Sequence, residues 1–321
     1  YSRATGKPAF VNLHIETGLG NAVSLMHNAR EGGSQIVLSA GNLDIREYDR
    51  GRTPHPCLAC NDKIKFDFLM KKALALDAKY IATGHYARIQ ESDGIFKLLK
   101  GKDDNKDQSY VLFTLTQKEL SHLKFPIGEF NKAEIRELAK KAGLSVANKL
   151  DSMEICFIPD NDYRKFIAER LTPKAGNITD SSGKVLGQHP GLQFFTIGQR
   201  RKLGLNGNSE NPVYVTNIDP NTNTVEVGNE QLLYKNQIWA SKITFVSDKS
   251  IDDELKVKAK IRYNSKAAYA SVKVLEDSWA TINFDEPQKA ITPGQAVVFY
   301  NDNELIGGGI VETKSPSPVA V

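Results

Sequence analysis

The sequence predicts a mixed α/β fold in its first half and an all-β fold in its second half. Up to about residue 160, apolar segments such as KYIATG alternate with helical segments such as NKAEIRELAKKAGL, the pattern of an α/β nucleotide-binding domain. From about residue 175, short strands follow one another at even spacing, separated by Asn, Gly, Asp and Pro turns. The second pattern favours a small mixed central domain followed by an antiparallel β-barrel.

The first two-thirds of the α/β part contain recognisable units in order. PAFVNLH, ETGLG, NAVSLMHNAREGG and SQIVLSAG predict a strand, a glycine turn, a helix and a second strand. After the proline-rich loop TPHPC we expect a helix from about Lys63 to Asp77, and the continuous apolar character of KYIATG favours a buried parallel strand. YARIQ and IFKLLKG, joined by ESDG, predict a hairpin.

The segment NKAEIRELAKKAGL has the signals of one complete helix. Asn131 can cap it together with Glu134, and Gly143 can end it. Its apolar residues fall on one face. DYRKFIAERL is the last helical segment, and eight strands are predicted after it: PVYVTNID, TVEVG, IWASKITFV, LKVKAKIRYN, ASVKVLE, WATINFD, AVVFYND and ELIGGGIVE.

Composition places the chain among ordinary globular proteins. Its 321 residues, 40% of them hydrophobic and 25% charged, suffice for two or three domains. No apolar run reaches the length of a membrane span and no signal-peptide pattern opens the sequence, so we expect a cytoplasmic protein without a membrane partner. The net charge of +4, from 42 basic and 38 acidic residues, permits an acidic partner such as RNA without requiring one.

The three cysteines leave several interpretations open. Cys57 and Cys60 stand three positions apart and Cys156 lies in EICFI; an odd number in this composition argues against a disulfide framework. They could be small buried hydrophobic residues, or structural zinc ligands, although the six histidines supply no second paired motif. They could also form a thiol pair that exchanges sulfur, or three thiolates that hold an iron–sulfur cluster.

The position of Cys60 predicts a reactive thiol. It stands just before the helix expected to begin near Asn61, and Lys63 and Lys65 follow it. Backbone N–H groups and nearby ammonium groups favour thiolate, so we expect a lowered pKa at Cys60.

Several motifs in order resemble one family closely. GRTPHPCLACNDKIKF, DAKYIATGHYARI, KDQSYVLFTL, DSMEICFIPDNDYRKFI, LGQHPGLQFFTIGQRRKLGL, KIRYN and DEPQKAITPGQAVVFY are similar to the tRNA-specific 2-thiouridylases of the MnmA/TrmU type, from about Glu47 to Val311. The resemblance implies a partial Rossmann-like domain of the PP-loop, adenine nucleotide α hydrolase type, then a central tRNA-binding domain and the barrel. The segments expected are 1–45, 46–160, 161–230, 231–313 and a disordered tail, 314–321.

The resemblance also implies a chemistry and a set of site residues. ATP, with Mg²⁺, adenylates the C2 oxygen of the wobble uridine in tRNAs for Lys, Glu and Gln; a cysteine persulfide then attacks C2, AMP leaves and a disulfide forms. Cys60 matches the nucleophile, Cys156 the persulfide cysteine and Cys57 an auxiliary position, in place of the Asp of some members. Gly84 matches an ATP-binding position. The positions matching contacts with the target base or tRNA are His55, Pro56, Cys57, His85, Lys106, Asp107, Gln108, Arg262, Tyr263 and Gln295.

The partners implied are the anticodon stem-loop of tRNA and a sulfur-relay protein or cysteine desulfurase, with no DNA. The choice between a persulfide and a [4Fe-4S] cluster on Cys57, Cys60 and Cys156 stays open. Two purely structural alternatives also remain: His85 could be a core histidine, and the Lys106 tract could be a solvated turn.

One departure from the family is large. The family's SGGVDSS phosphate loop does not occur in residues 1–45. That segment is instead similar to the pyrimidine-binding domain of thiamine-diphosphate-dependent decarboxylases of the benzoylformate decarboxylase and acetolactate synthase type. We therefore expect a chimeric chain, and two alternative functions follow: a tRNA-binding protein without catalysis, or a fragment of a thiamine-diphosphate-dependent lyase.

Overall fold

The computed structural model describes residues 9–12, 36–39, 46–148, 162–205, 212–247 and 254–316. Strands β1 (Ala9–Asn12) and β2 (Ile36–Ser39) pair in parallel, as the two strands predicted for the first segment should. The helix predicted between them lies outside the described residues. Within the described ranges, no helix is both long enough and apolar enough to cross a membrane.

Three helical segments run without a break from Pro56 to Leu74, and we name them together the cysteine helix. The middle segment is a π-helix, whose backbone hydrogen bonds join residues five apart, a rare form that is frequent at functional sites. The helical segments of the α/β part have these bounds: Arg46–Asp49, Pro56–Ala59, Cys60–Leu69, Met70–Leu74, Gln117–Leu120, Lys132–Lys141 and Tyr163–Ala168.

The helix Lys132–Lys141 has the predicted cap at its start. The Asn131 side chain accepts a hydrogen bond from the Glu134 N–H at 3.0 Å, and the Glu134 carboxylate accepts one from the Asn131 N–H at 2.7 Å. Gly143 follows the helix with φ of +70°. None of the ten helical residues is buried, and Leu138 is 47% exposed, so the described residues do not cover its apolar face.

The α/β part has little regular sheet. β3 (Ile81–Ala82) pairs in parallel with β6 (Leu123–Lys124), which confirms the parallel strand but only over two residues. β4 (Ala87–Ser92) and β5 (Ile95–Lys100) form the predicted hairpin. Asp93 and Gly94 connect them with positive φ angles of 52° and 76°, as a two-residue hairpin turn requires.

The central domain is a four-stranded sheet in the order β8-β7-β10-β9 around its own apolar core. β7 pairs in parallel with β10, and the other two pairings are antiparallel. The sequence pattern predicted β9 and β10 but not β7 and β8, whose short runs contain Gly, Asn and His. The bounds are β7 Gly176–Thr179, β8 Val185–His189, β9 Tyr214–Asp219 and β10 Thr224–Gly228.

Six antiparallel strands close the predicted barrel in the order β11-β14-β13-β12-β15-β16, with β16 pairing back to β11. The hairpin extends the sheet, because Leu98 and Leu99 of β5 pair with Leu305 and Glu304. One buried cluster contains residues of both the α/β part and the barrel. The strand bounds are β11 Tyr234–Phe245, β12 Leu255–Lys260, β13 Ala268–Val274, β14 Ala280–Lys289, β15 Ala296–Asn301 and β16 Glu304–Glu312.

Candidate active site around the cysteine helix

The paired cysteines lie on the first turns of the cysteine helix and not in a loop before it. Pro56 occupies the first turn, where its missing N–H costs no hydrogen bond, and His55 is the N-cap. Cys57 is exposed and Cys60 is half-buried. The expected start near Asn61 was therefore wrong, because the proline begins the helix and does not merely precede it.

The environment of Cys60 corrects the expected direction of its pKa. Burial raises the pKa of the Cys60 thiol, and the charge of Lys65 only partly opposes that shift. The prediction of a lowered pKa failed because Cys60 stands a full turn inside the helix, away from the unpaired N–H groups of its first turn. Lys63 is exposed, whereas Lys65 is buried and its charge acts on Cys60, five residues earlier in a helix whose backbone hydrogen bonds join residues five apart.

Lys65 and His85 form a buried polar contact below Cys60. Lys65 is 5% exposed and its Nζ lies 3.5 Å from Nε2 of His85. The other ring nitrogen of His85 lies 2.7 Å from the Thr83 hydroxyl. The ring itself packs between Phe66 and Phe125, at centroid distances of 6.0 and 5.9 Å. The structure thus places His85 in the core, where its first observable role is to hold the Lys65 ammonium group.

Asn61, next to the half-buried cysteine, is buried as well. Its amide donates a hydrogen bond to the Val111 carbonyl at 3.0 Å, while its Oδ1 has no partner among the described residues. A buried acceptor without a donor is costly, so this oxygen marks a place where a ligand N–H or a water would be favoured.

The rings of Tyr110 and Tyr263 lie near the start of the cysteine helix, and we name the two rings the aromatic wall. The Tyr110 ring lies 6.0 Å from the rings of both His55 and Tyr263, and the Tyr263 hydroxyl donates to the Asp107 carbonyl at 2.9 Å. Burial lowers the pKa of His55 to about 4. Burial, then Asp107 and Cys57, raise the pKa of Tyr263 to about 12.

Residues 106–108 form the turn that was predicted to contact RNA, and two of its side chains accept hydrogen bonds from the backbone next to the hairpin. The Asp107 carboxylate accepts a hydrogen bond from the Gly101 N–H at 3.0 Å. The Gln108 side chain accepts one from the Tyr86 N–H at 3.0 Å. The turn is therefore fixed against the hairpin, with Lys106 partly exposed on its surface.

Two other predicted contacts lie where domains meet. The Arg262 guanidinium donates to the carbonyl of Ile197 at 3.3 Å, to the Thr292 hydroxyl at 3.0 Å and to the carbonyl of Ala290. The Gln295 side chain donates to the Thr53 carbonyl at 2.8 Å, which ties the barrel to the segment before the cysteine helix. Both residues therefore join parts of the fold.

The structure thus places His55, Pro56, Cys57 and Cys60 at the start of one helix, and ring contacts through Tyr110 connect His55 to Tyr263. Cys156 lies outside the described residues, so its distance from Cys60 is not defined. In the described part of the chain, no group of three or more His, Cys, Asp and Glu side chains could hold a metal ion. Among the described residues, a Cβ at Gly84 would meet only Ile127, at 3.9 Å, so their side chains leave room beside this glycine, two residues after β3.

Sequence reasoning missed two contributors to this site, Asn61 and Tyr110. It did expect the Lys65 charge to act on Cys60, as the structure shows, but it did not predict that Lys65 is buried. Tyr110 stood in the quoted segment KDQSYVLFTL, where its continuous apolar surroundings were the available signal of burial.

Family comparisons cover almost the whole described chain. Residues 37–160 match the family described as tRNA methyl transferase HUP domain, residues 164–229 the tRNA methyl transferase PRC-barrel domain and residues 235–311 the aminomethyltransferase beta-barrel domain. The first match begins inside the segment that resembles the decarboxylases.

Individual relatives cover a similar range. The chain is 49% identical over 271 residues to the tRNA-specific 2-thiouridylase MnmA of Clostridium perfringens, which is 84% of this chain and 75% of the relative. It is 48% identical over 269 residues to the protein of that name from Clostridium acetobutylicum, with 83% and 75% covered. It is 47% identical over 274 residues to tRNA-specific 2-thiouridylase MnmA 1 of a Thermoanaerobacter species, with 84% and 75% covered.

Proposed function

The chain belongs to the family of tRNA-specific 2-thiouridylases, MnmA, and from this premise we propose that it transfers sulfur to C2 of the wobble uridine in tRNAs for Lys, Glu and Gln. The observation that carries the proposal is the 49% identity over 84% of the chain. The description of the matching domains mentions methyl transfer, but two cysteines on one helix beside an aromatic wall suit sulfur chemistry. The matches also favour this function over a thiamine-diphosphate-dependent lyase.

The proposed reaction has two stages. The uridine C2 oxygen displaces pyrophosphate from ATP and becomes adenylated, since a carbonyl oxygen is otherwise a poor leaving group. The terminal sulfur of a cysteine persulfide then attacks C2, AMP departs with the oxygen, and the second thiol releases the sulfur by forming a disulfide with the first. We assign the persulfide to Cys156 and the second thiol to Cys60.

The half-buried position of Cys60 suits this role. Its raised pKa keeps the thiol protonated until substrate or a base is present, and the Lys65 ammonium can stabilise the thiolate once it forms. Attack on the persulfide then requires Cys156 to approach to disulfide distance, a Cα separation below about 7 Å.

The surroundings of Gly84 fit the nucleotide. In α/β folds, ligands bind beyond the carboxyl ends of parallel strands, and Gly84 follows β3 with open space where a side chain would stand. ATP bound there would supply the adenylyl group, and its phosphates would carry the Mg²⁺ ion.

We assign the base-facing surface to His55, Pro56 and Cys57. Tyr263 joins this surface through Tyr110, whose ring lies 6.0 Å from the rings of both Tyr263 and His55. Unstacked bases of an anticodon loop pack well on aromatic side chains. The other residues assigned to tRNA are Lys106, Asp107, Gln108, Arg262 and Gln295. His85, which is buried, is assigned an indirect part through its contact with Lys65.

The sulfur source is a separate part of the proposal. A sulfur-relay protein or a cysteine desulfurase would load Cys156 as the persulfide. The alternative is a cluster held by Cys57, Cys60 and Cys156 with one open iron. Thiolate ligands are the donor set that such a cluster needs, and the exposed Cys57 is the residue that distinguishes the two routes.

The test is ATP-dependent formation of 2-thiouridine in unmodified tRNA for Glu, under anaerobic conditions with a sulfide source. We expect product from the unsubstituted chain and none from Cys60→Ser. Cys57→Ser is the matched variant: under the persulfide route it keeps activity, and under the cluster route it loses both product and bound iron.

Absence of product from the unsubstituted chain, with tRNA still bound, would contradict catalysis and leave the tRNA-binding alternative. Filter binding at low salt, where phosphate contacts are strongest, supplies that second measurement.

The origin of residues 1–45 is proposed separately. The resemblance to decarboxylases supports the proposal that this segment is foreign. Against it, the HUP-domain match includes the residues from 37 onward. Full-length transcript reads across residues 40–50 test the junction. We expect no continuous reads in independent samples if the join is an assembly error, and continuous reads in several samples would refute that version.

A further inference from the structure

Two lysines that the proposed chemistry does not use lie on tyrosine rings near the active-site surface. Lys100 ends β5 and its Nζ lies 4.7 Å from the centre of the Tyr300 ring. Lys260 ends β12 and its Nζ lies 5.9 Å from the Tyr110 ring centre and 5.7 Å from that of Tyr263. Both lysines are half-buried. The aromatic faces hold the ammonium groups but do not neutralise them.

Neither lysine has an ion-pair partner among the residues that the structure describes. The Asp107 carboxylate acts on Lys260, and the exposed Asp302 carboxylate, which bonds Lys258 at 2.9 Å, also acts on Lys100. Two carboxylates thus face three ammonium groups, so the cluster of Lys100, Lys258 and Lys260 keeps one net positive charge.

The two ammonium groups also repel each other. Burial lowers the pKa of Lys260; the Asp107 carboxylate opposes this shift and the Lys100 charge adds to it. Like charges that are half-buried and within range of each other raise the electrostatic energy of the free protein. An anion bound between them would remove that cost, so the arrangement is complementary to a phosphate group.

The location of the pair indicates which phosphate. Tyr110, which lies over Lys260 together with Tyr263, also contacts the ring of His55, the residue two positions before Cys57. An anion on Lys260 would therefore lie next to the base-facing surface. Lys100 lies against Tyr300 of β15 and Lys260 ends β12, both barrel strands, whereas the residue that a Cβ at Gly84 would meet is Ile127.

We propose that Lys100 and Lys260 form a binding site for a backbone phosphodiester of the RNA, beside the nucleotide that reacts. The proposal rests on the proposed function for the identity of the RNA. Each ammonium group would displace a counterion from one phosphate. This displacement contributes to the salt dependence of RNA binding.

The experiment measures the affinity of the full chain for unmodified tRNA for Glu at several salt concentrations between about 50 and about 200 mM. For Lys260→Gln and Lys100→Gln we expect affinity to fall about three- to tenfold and the slope of log affinity against log salt to decrease by about 0.7 to 0.9 for each lysine. Lys260→Arg should restore both quantities, because it keeps the charge.

Lys258→Gln is the matched control. Lys258 lies two residues earlier on β12 and already bonds Asp302 at 2.9 Å, so its loss should leave the salt slope unchanged. Unchanged slopes for Lys100→Gln and Lys260→Gln, or equal slope changes for these variants and the control, would overturn the proposal. A loss of ATP-induced thermal stabilisation with tRNA binding intact would also overturn it, by assigning the lysines to the nucleotide.

A parallel assay of 2-thiouridine formation separates this inference from the proposed function. Product with unchanged salt slopes would refute the lysine site alone. Reduced slopes without product from the unsubstituted chain would refute catalysis and leave the site standing. No tRNA binding by the unsubstituted chain would refute both.

Discussion

His55 shows how one residue of the site is tuned by its surroundings. It caps the cysteine helix, its ring faces Tyr110 at 6.0 Å, and its Nδ1 is buried without a partner among the described residues. Burial lowers its pKa to about 4. The imidazole is therefore neutral at physiological pH, which suits contact with an uncharged base.

This shift makes a stability prediction. The unfolded chain protonates His55 below about pH 6.5 and the folded chain only below about pH 4. The contribution of neutral His55 to the free energy of unfolding is thus complete above pH 6.5 and is lost as pH falls toward 4. The free energy of unfolding, measured by urea denaturation, should fall between about pH 7.5 and about pH 5 in the unsubstituted chain. In His55→Asn this fall should be smaller by about 2 kcal/mol.

Asparagine is a suitable replacement because it caps helices well and does not titrate. His122→Asn controls for the removal of one imidazole elsewhere in the chain. Equal losses for His55→Asn and the unsubstituted chain would show that His55 titrates normally. His189, whose pKa burial also lowers, remains in every variant and leaves a common background.

At the scale of elements, the glycine run in β16 allows the α/β part to approach the barrel. A Cβ at Gly308 would lie 2.7 Å from the Val297 carbonyl and 2.8 Å from the Phe113 ring, which is 1% exposed. Only a residue without a side chain fits there. The GGG run of the last strand therefore allows close packing at Gly308 against Phe113 and does not form a turn.

The corresponding prediction is that Gly308→Ala destabilises the chain by about 1 to 3 kcal/mol, because the added methyl group overpacks the interface. Gly84→Ala is the matched control: its Cβ would meet only Ile127 at 3.9 Å, and the cost should stay within about 0.5 kcal/mol. The midpoint of urea denaturation measures both. Equal stability of the two variants would show that Phe113 moves aside freely.

The cysteine helix is the element in which local pattern and actual geometry differ most. Its amphipathic residues predicted a helix, and the helix is there. The π-helical segment Cys60–Leu69 changes which side chains share a face, and so brings Lys65 to Cys60. A π-helix depends on packing around it, which no short sequence window contains.

At the scale of the whole molecule, an ion-pair network ties the segment before the cysteine helix to the barrel. Arg52 contacts Glu312 of β16, and its Nε lies 2.8 Å from the Glu47 carboxylate. The Ser241 hydroxyl donates a further hydrogen bond to Glu312. These side chains are at most 26% exposed, so the charges depend on one another.

We predict that Arg52→Met destabilises the chain by about 2 kcal/mol, because it leaves Glu312 partly buried without its charge partner. A double-mutant cycle with Glu312→Gln should give a coupling energy of about 1 kcal/mol or more. Lys97→Met is the control across the same hairpin and barrel: its pair with Glu304 is 47% and 29% exposed and should contribute less than about 0.5 kcal/mol. Independent effects of Arg52→Met and Glu312→Gln would contradict the network.

The sequence by itself determined the α/β part, the β9 and β10 strands, the antiparallel barrel and the capped helix at Asn131, because these follow from hydrophobic period, turn residues and caps that a short window contains. Its motifs also identified the family. Tertiary structure alone decided that the barrel closes through β16 and β11, that His85 and Lys65 lie in the core, and that burial raises the pKa of Cys60. Those properties depend on water exclusion and contacts between residues far apart in the chain, which local sequence patterns do not encode.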